Sequence, residues 1–300
     1  MKKQVAISGL LQLLSAIVAD RSDLDLNCLT TRTVQHAINK GLGPLLFRTT
    51  RGNPHSAASV DYLSLQSADI TSRILVHEQL DGLQEILDAL GGSACHVTLL
   101  KGISICETHY TEPQLRLMGD IDLLVVDDQI RNAVEAQLRG LGYRQQSNYP
   151  EEFYRTLHHS MPFFHPLRKI WVEMHSRLFP PTATVADDKV FSRDQITSQT
   201  VSREFRGVRC MQLTDEMQLV YTSSHWAEEF NSIRGLVPMV DVLYLLTRST
   251  HVIDWDLILS WLPGTATSAH LCLMTTYLER CGLITIPEEV SSKLYTCATS

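Results

Sequence analysis

The stretch Gly119-Asp120-Ile121-Asp122-Leu123-Leu124-Val125 constrains this chain more than any other. Its apolar residues read as a buried strand, and a strand sends alternate side chains to opposite faces. Asp120 and Asp122 therefore project together, while Ile121 and Leu123 turn toward a core. Two neighbouring carboxylates repel unless a cation lies between them, and a hard divalent ion, magnesium or manganese, suits such oxygen donors.

The rest of the chain supplies a setting for that strand. Before it the sequence reads as helical. Leu10, Leu11, Leu13, Leu14, Ile17 and Val18 recur at helical spacing within the apolar run Val5 to Ala19, and Ser8, Gln12 and Ser15 interrupt that run. An amphipathic first helix is expected there rather than an export signal. A short helix follows over Thr33 to Lys40, and Leu63, Ile70, Ile74, Leu80, Leu83 and Leu87 predict a long one from Asp61 to Leu90, stopped by Gly91-Gly92. The period then changes. Strands are expected over Cys95–Leu100, Ile121–Val126, Ser160–Phe164 and Ile170–His175, with helices over Ile103–Tyr110 and from Asp127-Asp128 to Leu141. From Thr214 onward helices return, after a linker-like region from Pro180 to Asp194.

The pattern predicts an α+β fold: a mixed-sheet core with helices, flanked by helical segments at both ends. The expected divisions are an N-terminal helical segment (1–91), a core (92–180) and a C-terminal helical domain (181–300).

A DxD pair alone also occurs on solvated strand ends, so its neighbours matter. Glu173 sits in the apolar strand Trp171-Val172-Glu173-Met174-His175, where an unpaired charge is costly, and it is the expected third carboxylate. Lys101-Gly102 follows a strand end, and Arg116 lies four residues before Asp120. Gly102 allows close backbone approach to a phosphate, and Lys101 and Arg116 offer positive charge. Lys101 is equally suited to cap a strand edge, and Arg116 to pair with Asp120 or Asp122. His158, His159, His165 and His175 can approach one another across strands, but no HExxH or Cys/His spacing supports zinc; His159 and His175 are expected to line the cleft or hydrogen-bond within it.

Composition narrows the partners. Net charge is −7 and no basic stripe is present, which argues against gripping an extended nucleic-acid duplex. The seven cysteines are scattered and never spaced as CxxC, so a reducing, cytoplasmic setting is expected. No run is long and apolar enough for a membrane span. Walker A, GxGxxG and GxSxG motifs do not occur.

Taken together, Leu99-Leu100-Lys101-Gly102, Tyr110, Pro113, Arg116, the Gly119–Val125 strand, Leu141-Gly142-Tyr143, His159 near Pro162 and Val172-Glu173-Met174-His175 resemble an uncharacterised bacterial family of the DNA polymerase β-like nucleotidyltransferase superfamily. The similarity extends to Leu219–His225, Asp241 and Trp255. Lys101-Gly102 stands where that superfamily generally has Gly-Ser or Gly-Gly, and Glu173 stands where Asp is frequent. The resemblance implies a polymerase-β-like sheet. It also implies Asp120, Asp122 and Glu173 as catalytic metal ligands, with Lys101, Gly102, Arg116, Gly119 and His175 around the nucleotide. The implied reaction transfers NMP from an NTP such as ATP to an unidentified hydroxyl-bearing acceptor, a small molecule, peptide or RNA end, with Mg2+ or Mn2+ as cofactor. Two other readings stay open: a nucleotide-binding or interaction protein without turnover, and a metal-dependent phosphoesterase.

Overall fold

The computed structural model describes residues 11–147, 149–154, 157–229, 236–249 and 251–299. Helix α1 covers 11–18; its expected beginning at 5–10 lies outside the described residues. Then follow α2 (Thr31–Asn39), α3 (Gly43–Thr50) and the long α4 (Tyr62–Leu90). The central part runs β1 (Thr98–Leu99), α5 (Lys101–Ile105), β2 (Ile121–Leu124), α6 (Asp128–Gly140), β3 (Arg144–Gln145), α7 (Glu151–Tyr154), β4 (Phe163–His165) and β5 (Ile170–His175). After it come α8 (Arg193–Ser198), β6 (Thr200–Phe205), β7 (Val208–Leu213), α9 (Asp215–Glu228), α10 (Leu236–Arg248), α11 (Trp255–Trp261), α12 (Ala266–Arg280) and α13 (Glu288–Thr299). Among the described residues no helix is long and apolar enough to cross a membrane.

The fold is the expected α+β class, a mixed sheet among helices. Its order is β3-β4-β5-β2-β1-β7-β6. β2 lies parallel to β5 and antiparallel to β1, so the carboxylate strand is central and hydrogen-bonded on both edges. Asp127 caps α6 by accepting hydrogen bonds from the Gln129 and Ile130 amides, as its position before the helix predicts.

Two apolar clusters sandwich the sheet. Ile121 and Leu123 join one with Val76, Leu80, Leu83 and Leu87 of α4 and Val134 and Leu138 of α6. The other unites Leu13, Leu14 and Ile17 of α1, Leu45 and Leu46 of α3, and the C-terminal helices around Val240, Leu243 and Leu271. The first helices thus share a core with the last ones.

Several local expectations are corrected. The chain winds as a 3-10 turn over Gly91–His96, so the strand expected from Cys95 shrinks to Thr98–Leu99, and α5 stops at Ile105, short of Tyr110. The hairpin β6-β7 was not foreseen, yet β7 pairs in parallel with β1 and extends the sheet past residue 180. The segment expected to be linker-like is packed: Val185, Val190 and Phe191 are buried, and Asp188 accepts from the Thr267 amide and hydroxyl.

Candidate functional site

The register of β2 on β5 sets Asp122 directly opposite Glu173. Neighbouring residues on parallel strands share a face, so two carboxylates separated by 51 positions in sequence become cross-strand neighbours. Asp120 lies just before β2 and is half-buried, whereas Asp122 is 3% exposed. His175, two residues beyond Glu173 on the same face, is fully buried.

Asp122 is the hub. Lys101 Nζ donates to its Oδ1 at 3.0 Å, and His175 Nε2 donates to the same oxygen at 2.7 Å. Burial pushes the Asp122 carboxyl up, but Lys101 and His175 outweigh it and hold the group well below the usual carboxylate range. Glu173 is in the opposite situation. Burial first, and then repulsion from Asp120 and Asp122, push it up to about 7. Glu173 thus holds its proton more tightly than a free carboxylate, and a divalent cation beside it would reverse that shift. One donor atom each from Asp122, Glu173 and His175 lie within 4.8 Å of one another, and among the described residues no other group of three such ligands converges this way. The donor set fits a divalent ion.

A cleft of about 500 Å³ opens over these carboxylates. Its floor is Lys101, Gly102, Gly119, Asp120, Asp122 and Glu173. Its walls come from elsewhere in the chain: Ile38 to Gly41 at the end of α2, Leu75 of α4, His225 and Glu229 at the end of α9, and Val237 and Pro238 at the start of α10. Asp122 and Glu173 sit in the sheet with Asp120 just before it, and the flanking helices enclose the space above them.

Lys101 adopts φ +49°, a left-handed conformation that costs a non-glycine residue about 1–2 kcal/mol. That backbone lies at the turn from β1 into α5, and Leu100 donates its amide to the Asp122 carbonyl at 3.0 Å. The ammonium is thereby brought onto the Asp122 side chain.

Arg116 pairs with neither Asp120 nor Asp122. Its guanidinium goes to Asp241 of α10, with Nε 2.8 Å from Oδ1 and Nη2 2.8 Å from Oδ2, while Tyr110 donates its hydroxyl to Oδ1 at 2.5 Å. Gly102 is required by packing: a Cβ there would meet Met118 Cγ at 2.7 Å and Arg116 Nη1 at 3.1 Å.

Three of the four histidines considered together do meet. The ring centroids of His158 and His159 lie 4.9 and 5.5 Å from that of His175. His165 instead packs edge-on against Tyr143. Burial and the neighbouring His175 pull His158 down to about 2, and burial with Lys101 pulls His225 down to about 3, so both are neutral at ordinary pH. Tyr221, one helical turn before His225 on α9, was not singled out from the sequence. Burial raises its phenol, and its ring packs edge-on to that of His225 with centroids 6.0 Å apart. Its spacing from His225, i to i+4 on an otherwise apolar face, was the available signal.

A family model described as an uncharacterised nucleotidyltransferase matches residues 30–281. No curated protein and no solved structure matches the chain. The matched span takes in α2 to α12 and thus the whole sheet, both carboxylate strands and the helices that wall the cleft. The chain belongs to the uncharacterised nucleotidyltransferase family.

Proposed function

We propose that this protein is a metal-dependent nucleotidyltransferase of the DNA polymerase β-like kind, which moves an NMP from an NTP to a hydroxyl-bearing acceptor and releases pyrophosphate. The observation that carries the reading is the pairing of Asp122 with Glu173 across parallel strands, beside Asp120 and under a cleft enclosed by both helical segments.

Asp120, Asp122 and Glu173 would hold magnesium or manganese, which when bound supplies Lewis-acid stabilisation of charge on the phosphates and lowers the pKa of an attacking hydroxyl. Glu173 is also suited to take a proton from the acceptor, since its raised proton affinity brings it near neutral pH. Lys101, whose ammonium lies 3.0 Å from Asp122, would shift from it toward the phosphates as the ion enters. Arg116 would act at one remove: held by Asp241, it positions α10 and with it Val237 and Pro238 on the cleft wall. The apolar patch of Ile38, Leu75, Val237 and Pro238 offers a surface for the base.

The test is turnover of labelled NTPs with magnesium or manganese, with cell extract as the acceptor pool, in wild type beside Asp120→Asn. Pyrophosphate and a labelled product that disappear in the variant are expected. Wild type that neither binds nor consumes any NTP under these conditions would sink the proposal.

A further inference from the structure

We propose that His175 is itself a ligand of the metal, so that the centre presents an imidazole nitrogen beside carboxylate oxygens and favours a divalent transition ion over magnesium. This rests on the reading of the site as a metal centre given above.

The placement follows from the sheet. Glu173 and His175 are two residues apart on β5 and face the same way, and Glu173 is opposite Asp122. His175 Nε2 lies 2.7 Å from Asp122 Oδ1 and 3.9 Å from Glu173 Oε2. Ligands about 2.1 Å from one ion are ~3 Å apart when adjacent in its shell and ~4 Å apart when nearly opposite, and the 3.9 Å from His175 Nε2 to Glu173 Oε2 fits the second case. Lys101 and His175 both bond to Oδ1 of Asp122, which leaves Oδ2 for a cation.

A second observation concerns the far side of the ring. His175 Nδ1 is buried without a hydrogen-bond partner, and so is His158 Nδ1, in a ring whose centroid is 4.9 Å away. His158 is held there by its carbonyl, which accepts from the Ser176 amide at 2.8 Å. When Nε2 donates to Asp122, Nδ1 of His175 is a bare acceptor with no donor in hydrogen-bond reach among the described residues. With an ion on Nε2, the ring hydrogen would sit on Nδ1 instead, making it a donor. Metal-bound histidines almost always donate their other nitrogen in this way. Imidazole is a poor ligand for magnesium and a good one for first-row transition ions.

Manganese alone, added to the full chain, is the probe. Pulsed electron paramagnetic resonance of the bound ion is recorded on protein grown with ordinary and with 15N-labelled histidine. A nitrogen coupling that follows the isotope and vanishes in His175→Gln is expected; the glutamine amide can still donate to Asp122, so a purely positioning role would leave the spectrum unchanged. By calorimetry, manganese should bind about tenfold or more weakly in that variant, with magnesium changed less. Bound manganese without a histidine coupling in wild type overturns the inference and leaves the metal centre standing. Wild type that binds no manganese overturns both. Should His175→Gln fail to fold, the labelled wild-type spectrum decides.

Discussion

Arg116 and Asp241, 125 residues apart, meet in a buried pair in which the guanidinium Nε spans both carboxylate oxygens at 2.8 and 3.1 Å. Tyr110 completes the contact from the same side of the sheet. The pair ties the stretch before β2 to α10, whose Val237 and Pro238 line the cleft. Asp241→Asn leaves a buried guanidinium without its counter-ion and should lower stability by about 3–5 kcal/mol. Urea denaturation measures this; a loss under about 1 kcal/mol would mean that the pair does not hold α10.

The carboxylates should separate by their surroundings. Asp120 is half-buried, and Asp120→Asn is expected to reduce turnover by more than about 10³-fold with stability within ~1 kcal/mol of wild type. Asp122 is buried and neutralises the half-buried Lys101, so Asp122→Asn should lose turnover and also roughly 3 kcal/mol of stability. Thermal melting beside pyrophosphate release distinguishes the two; equal melting temperatures would contradict this account of Asp122.

Glu173 makes a prediction with a sign. Its folded-state pKa of about 7 lies above the ordinary 4.5, so its contribution to stability is fully present below 4.5 and is lost as pH rises through 7. At pH 8, without metal, Glu173→Gln should therefore be more stable than wild type by about 2 kcal/mol, after discounting for solvent screening at its partly exposed side chain. The same variant should be inactive. Stability curves at pH 4 and pH 8 in chelator check it, and a gain that is as large at pH 4 as at pH 8 would refute the assignment.

Gly102 is fixed by its neighbours. Gly102→Ala drives a Cβ against Met118 and Arg116 and should cost about 1–3 kcal/mol. Met118→Ala removes the closer obstacle, so the double variant should recover part of that loss relative to additivity. Additive behaviour in denaturation would show that the crowding lies elsewhere.

Much of the sheet was readable because its signals are local. The run Ile170–His175 appears in the structure with the limits its apolar residues predict, and α4 and α6 have the expected limits to within a residue or so, although Leu63, Ile70 and Ile74 of the apolar set expected on α4 are exposed while Leu80, Leu83 and Leu87 are buried. The hairpin β6-β7 escaped because Thr200–Phe205 and Val208–Leu213 carry Ser202, Arg203, Glu204, Arg209 and Gln212, a polar edge whose strand character comes from pairing with β1. Cys95 and His96 read as strand by composition, but the chain there is still completing the turn that ends α4.

The site divides in the same manner. That Asp120 and Asp122 share a face, and that Glu173 is a carboxylate in an apolar strand, are properties of a two-residue period and of composition, which no tertiary contact is needed to establish. Which groups they meet is a matter of register and packing. The parallel offset of β2 on β5 sets Glu173 rather than Trp171 or His175 opposite Asp122. The left-handed turn at Lys101 brings its ammonium to Asp122, and the packing of α10 takes Arg116 to Asp241 instead of to the carboxylate pair. Partners 21, 51 and 125 residues apart are joined by burial and charge pairing in three dimensions, energies that a one-dimensional pattern does not carry.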